Sequence, residues 1–139
     1  MWQTKTTDYS LRGVPWKDGK GDVMREVADA CKKHGLKIGL YCSPADKNFH
    51  CWANPRENFK LTGDRDAYFR AYREQVRELC TNYGDAILFI FDGYCDPFAP
   101  NVTDANGKRI GSGEYEKKIV ALVRSLQPGP THRVSDVNA

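Results

Sequence analysis

The sequence predicts an α/β fold on a parallel sheet, with about three strand-and-helix units. Three observations carry this reading. Helical and extended apolar periodicities alternate along the chain, the run 86–91 is continuously apolar, and the segments that follow strands, 43–63 and 93–113, are far longer than those that lead into them. An apolar strand without alternation is expected to be buried on both faces, as parallel sheets between helix layers are. Long segments after strands gather function-bearing loops at the C-terminal strand ends. That favours a (β/α)8 TIM barrel and, slightly less, a doubly wound sheet.

The first helix is expected over 22–34, where Val23, Val27, Ala30 and Cys31 recur at helical spacing and Gly35 stands where a left-handed cap would close it. A strand follows over 36–42. The second helix, 64–83, carries Phe69, Tyr72, Val76, Leu79, Cys80 and Tyr83 on one face, and Gly84 ends it before the apolar strand 86–91. The third helix, 114–126, presents Tyr115, Ile119, Leu122, Val123 and Leu126, stops before Pro128, and precedes a last strand over 133–137. A full barrel needs roughly 250 residues. The 139 residues are therefore read as one fragment, 1–139, of a partial (β/α)8 barrel.

Bulk properties narrow the function. The 21 basic and 18 acidic side chains interleave, leaving a net charge of +3 and no block of one sign, so neither nucleic acid nor an anionic membrane is an expected partner. The longest strongly apolar run, 86–91, is far below the ~18 residues of a membrane span. Five cysteines form no C-x-x-C pair, and Cys31 and Cys80 fall on apolar helix faces; they are read as mostly reduced and structural. Of the three histidines, only His50, beside Cys51, clusters with another ligand type, and the spacing does not fit zinc. No metal and no organic cofactor is expected.

The sharpest local feature is Phe89-Ile90-Phe91-Asp92-Gly93, where an acidic residue ends an apolar strand and a glycine lets the chain turn away. Asp92 is either a carboxylate aimed into a barrel mouth or a cap on the following turn. Tyr41, near the end of the preceding strand, would open onto the same face as a ligand contact or would pack into the core. Trp2, Trp16 and Trp52 lie in or near loops, where an aromatic face can stack on a sugar ring or anchor the loop. The glycines and Lys20 of 15–22 suggest a phosphate loop, but Gly13 and Gly19 enclose five residues and Gly21 stands where Ser or Thr should be.

Taken together, the runs Thr7-Asp8-Tyr9-Ser10, Pro15 through Val23, Ala28 through Lys37, Tyr41-Cys42-Ser43-Pro44, Asn82-Tyr83-Gly84 and Phe91-Asp92-Gly93 resemble the α-L-fucosidases of glycoside hydrolase family 29, in family order and over nearly the whole chain. The resemblance implies a retaining hydrolase of terminal α-L-fucosides, with a fucosylated glycan or simple fucoside as partner. It maps the nucleophile onto Asp92 and a sugar-pocket tyrosine onto Tyr41, and it adds Trp2 as a further substrate contact. The family departs at Ile90, where its members carry a pocket Trp. Its His-His-Asp-Gly-Phe segment would precede Trp2, and its acid/base Glu would follow Ala139, so this chain alone is expected to be inactive. Family members are commonly secreted, periplasmic or lysosomal; the compartment of this chain stays open. Two alternatives remain: a non-catalytic barrel fragment or sugar-binding module, and another barrel glycosidase such as an α-galactosidase. An open piece of a barrel is also expected to self-associate.

Overall fold

The structure, a computed structural model, describes residues 2–44, 46, 65–91, 114–129 and 133–136. Three helices and three strands alternate: α1 (Val23–Lys33), β1 (Ile38–Tyr41), α2 (Arg65–Asn82), β2 (Ala86–Phe91), α3 (Glu114–Leu126) and β3 (Arg133–Asp136). Two short 3-10 turns, Leu11–Gly13 and Trp16–Gly19, precede α1. The strands form one parallel sheet in the order β1-β2-β3. The fold is thus α/β, as the alternation predicts, and the bounds of β2 and α3 coincide with those expected.

Local chemistry explains each helix end. Asp22 caps α1, its Oδ1 accepting the Arg25 N–H at 2.9 Å. Lys32 and Lys33 occupy the last turn, where cations offset the negative end of the helix dipole. Gly35 then turns left-handed at φ 66°, and the Leu36 N–H reaches back to the Cys31 carbonyl at 2.8 Å, the pattern of a Schellman cap. Gly84, at φ 82°, gives α2 the same kind of exit. Both glycines occupy conformations in which a β-carbon would clash with the local backbone.

The core lies between the sheet and the helices. Leu40, Tyr68, Tyr72, Val76, Leu79, Phe89, Ile119 and Val123 are almost fully buried there. Burying one such side chain contributes about 1.5–3 kcal/mol, so this layer carries most of the favourable free energy. Buried Gln127 ties it together. Its Nε2 donates to the Cys80 and Gly84 carbonyls at 2.8 and 3.0 Å, and its Oε1 accepts the Ala86 N–H at 3.0 Å. One side chain past α3 thereby fixes the α2-to-β2 connection.

Three expectations need correction. The expected stripe of α1 was Val23, Val27, Ala30 and Cys31, but Val27 is 45% exposed and Ala30 is exposed too. The helix instead buries Ala28 and turns Met24 and Cys31 toward the core. Positions 24, 28 and 31 form a rival stripe of equal period, and a small residue at its centre permits close approach. On α2 the buried set includes Tyr68, while Phe69 is only partly buried and stacks edge-on against Tyr115 of α3, centroids 4.2 Å apart. The continuously apolar strand is not buried on both faces. Phe89 and Phe91 are covered by helices, whereas Ile87 is 39% exposed and Leu88 and Ile90 are half-buried. Residues of all three helices join Leu40 and Phe89 in one core cluster, whereas Gly39 and Tyr41 on the other face of β1 are exposed.

Candidate functional site

The open face and the C-terminal strand ends meet at Tyr41. In β1 the buried Ile38 and Leu40 alternate with exposed Gly39 and Tyr41. Strand pairing sets Tyr41 opposite Ile90, and Ile90 opposite Ser135. Tyr41 is 58% exposed, so it is not packed into the core.

The backbone that carries Tyr41 is held firmly. The Cys42 N–H continues the ladder to the Ile90 carbonyl at 3.0 Å. Two tyrosines of α2, one turn apart, then clamp the chain as it leaves the strand. The Tyr72 hydroxyl donates to the Cys42 carbonyl and the Tyr68 hydroxyl to the Pro44 carbonyl, each at 2.6 Å. Their rings lie 5.9 Å apart, and Tyr72 meets Phe91 edge-on at 6.5 Å. Phe91 stacks on Phe89 at 6.4 Å, so the last described residue of β2 is anchored by the same cluster. Asp92, the next residue, lies outside the described residues, as do His50, Cys51, Trp52 and Cys95.

The buried thiols have no catalytic character. Burial pushes Cys42 up to about 12, against a smaller opposing effect of the Tyr72 hydrogen bond, and pushes Cys80 up to about 11. A thiol so raised stays protonated and a poor nucleophile at neutral pH. Cys31, Cys42 and Cys80 are all free. No metal-binding cluster of His, Cys, Asp or Glu occurs among the described residues. No described helix is long and apolar enough to cross a membrane.

Trp2 sits away from the strand ends. Its indole packs against the core and donates from Nε1 to Glu78 Oε2 at 2.8 Å, while Glu78 Oε1 accepts the Lys5 N–H at 2.9 Å. It lines a cavity to which Tyr41 does not contribute. Trp16 packs on Gly21 so closely that a β-carbon there would come within 2.0 Å of its ring, which gives that glycine a packing reason rather than a phosphate one. Lys17 pairs with Glu26 and lies 5.1 Å above the Trp16 ring.

Periodicity missed Tyr68, the hydrogen-bonding role of Tyr72, and Gln127. A signal was present for the first two, a Tyr pair at i and i+4 facing the core of α2. Nothing local marks Gln127, because its partners stand more than forty positions back in the chain.

Comparison with known proteins bears on this geometry. The α-L-fucosidase family model matches residues 1–138. Alpha-L-fucosidase 1 of Arabidopsis thaliana is 36% identical over 93 residues, 67% of this chain and 16% of that protein. Among solved structures, a glycoside hydrolase 29 family member from an unknown rumen bacterium is 37% identical with a TM-score of 0.66, over 92% of this chain and 22% of its own. A putative α-L-fucosidase from Bacteroides thetaiotaomicron is 29% identical with a TM-score of 0.70, over 96% of this chain and 24% of its own. The chain thus spans about a fifth of the length of these relatives, and over that span it belongs to the α-L-fucosidase family, glycoside hydrolase family 29.

Proposed function

We propose that these residues form about three units of the (β/α)8 barrel of a retaining α-L-fucosidase, that Asp92 is its nucleophile, and that Tyr41 contacts the fucose. The observation that carries this is the one-sided sheet. Strands pair in chain order, and α2 and α3 pack together on one face. The open face, bearing Tyr41 and Ile90, is the one that a barrel would turn inward. Were the strand to continue one step beyond Phe91, alternation would give Asp92 the face of Tyr41 and Ile90. A carboxylate there would stand at the C-terminal strand end, where barrel enzymes keep their chemistry.

The reaction needs two carboxyls about 5–5.5 Å apart, one ionised to attack the anomeric carbon and one protonated to release the aglycone. Asp92 would supply the first. In the first step its oxygen bonds to the anomeric carbon as the glycosidic bond breaks, and the leaving oxygen takes a proton from the acid. In the second, water displaces Asp92 and gives its proton to the same group. With that acid outside these 139 residues, the chain alone should turn over no unactivated fucoside. The test uses the complete parent enzyme. Asp92→Ala should lower kcat by orders of magnitude without unfolding the protein, and azide should restore some turnover of a nitrophenyl fucoside with inverted product. A near-normal rate would remove Asp92 from the mechanism, and preference for the galactoside would change the substrate.

A further inference from the structure

Cys42, the residue after Tyr41, is held at both of its backbone polar groups, and by different elements. Its N–H shares a peptide plane with the Tyr41 carbonyl and donates to the Ile90 carbonyl of β2 at 3.0 Å. Its own carbonyl accepts the Tyr72 hydroxyl of α2 at 2.6 Å. Cys42 and Tyr72 are both buried, so water is a poor substitute for the hydroxyl, and a carbonyl that loses it is stranded.

Tyr72 is a fixed donor. Its ring lies 5.9 Å from that of Tyr68 and meets Phe91, the last residue of β2, edge-on at 6.5 Å. This packing orders the ring, so the hydroxyl is delivered to the chain without further loss of freedom. One side chain thus touches the ends of both strands, β1 through its hydroxyl and β2 through its ring. Phenylalanine would serve the packing equally well. The hydroxyl adds a hold on the backbone one residue past Tyr41.

We infer that Tyr72 is a positioning residue for the sugar, its hydroxyl setting the backbone from which Tyr41 reaches the fucose. This rests on the function proposed above, in which Tyr41 contacts the sugar and Asp92 attacks it. It goes beyond that reading by assigning the precision of the contact to a buried residue of α2. Loss of the hydroxyl releases the exit of β1, whereas the ring keeps its place against Phe91, the residue before Asp92. Binding and bond cleavage should therefore separate.

The test uses the complete parent enzyme, with nitrophenyl α-L-fucoside as substrate and L-fucose as inhibitor. Tyr72→Phe should raise KM and the fucose inhibition constant about threefold to tenfold and leave kcat within about twofold, the pattern of an interaction made equally in ground and transition states. Neither constant depends on the fraction of enzyme that is folded. In a Tyr41→Ala background the same substitution should change them by less than about 1.5-fold, because its effect passes through Tyr41. Gln127→Met strands buried groups at the opposite end of β2 and should lower stability at least as much, yet leave KM unaltered. An unchanged KM in Tyr72→Phe, a kcat that falls as far as KM rises, an equal rise in the Tyr41→Ala background, or the same rise in Gln127→Met would overturn the inference. The cycle with Tyr41 decides by itself where Gln127→Met does not fold. Failure of the fucosidase reading has a different mark, a near-normal rate in Asp92→Ala whatever Tyr72 does.

Discussion

Gln127 offers the sharpest test of how this sheet is held. The residue is 4% exposed and makes three hydrogen bonds, to the Cys80 and Gly84 carbonyls and from the Ala86 N–H. Gln127→Met keeps an unbranched chain of similar volume and deletes all three. Gly84 is exposed, so water can replace its partner, but Cys80 and Ala86 are buried and would be stranded. At about 1–3 kcal/mol for each of these two buried unpaired groups, the variant should lose about 2–6 kcal/mol. Urea unfolding followed by circular dichroism and tryptophan fluorescence measures this, provided the two probes coincide. Amide exchange should quicken at Ala86 before it does at Phe89. Lys118→Gln, which breaks the exposed Glu114 pair on α3 and removes the cation 5.4 Å above the Tyr115 ring, serves as the control and should cost less than about 1 kcal/mol. A Gln127→Met variant within 0.5 kcal/mol of the parent would refute the reasoning, because it would mean that solvent reaches the α2-to-β2 connection.

Other expectations follow from the same contacts. Tyr72→Phe and Tyr68→Phe should each cost about 1–2 kcal/mol by stranding a buried carbonyl, and the double variant should depart from additivity because the two rings touch; a double-mutant cycle in urea reads this. The Cys42 thiol is raised from 9.0 to about 12, so its contribution to stability is fully present below pH 9 and is lost as pH rises toward 12; Cys42→Ala should flatten that alkaline limb. The open sheet face and the edges of β1 and β3 should make the chain self-associate, and a clean monomer in sedimentation velocity at micromolar concentration would speak against an unclosed barrel.

Much of the fold was legible because it is written in local rules. Gly35 and Gly84 mark helix exits that only a residue without a β-carbon adopts readily, and the uninterrupted run of β2 and the stripe of α3 gave their bounds directly. Failures came where the deciding partner is distant. Two stripes of α1 satisfy one period, and the choice between them belongs to tertiary packing. Gln75 and Gln127 carry no local signal of burial, yet both are buried, since the groups they satisfy lie in other elements. Full burial of β2 was expected because an apolar strand implies two covered faces, and a sequence does not say whether both covers lie within the same 139 residues. At the site, Tyr41 was legible as a strand-end residue, while of the tyrosines that fix its backbone Tyr72 was read as core alone and Tyr68 was missed.

That oversight bears on how the candidate site achieves precision. A side chain at a strand end is only as well placed as the chain that leaves the strand, and loops are ordinarily the least constrained part of an α/β domain. Here the first carbonyls past Tyr41 are captured by Tyr72 and Tyr68, whose rings stand in the core and whose hydroxyls reach out of it. On the same helix, Gln75 and Glu78 hold the N-terminal segment through Thr6, Trp2 and Lys5. A single helix therefore sets both the strand end and the N-terminal segment. Because α2 has no second packing arrangement on view, the two places are linked by shared position rather than by a switch. A substitution in the core face of α2 should loosen both together, whereas a change at the exposed Tyr9 should leave the strand end where it is.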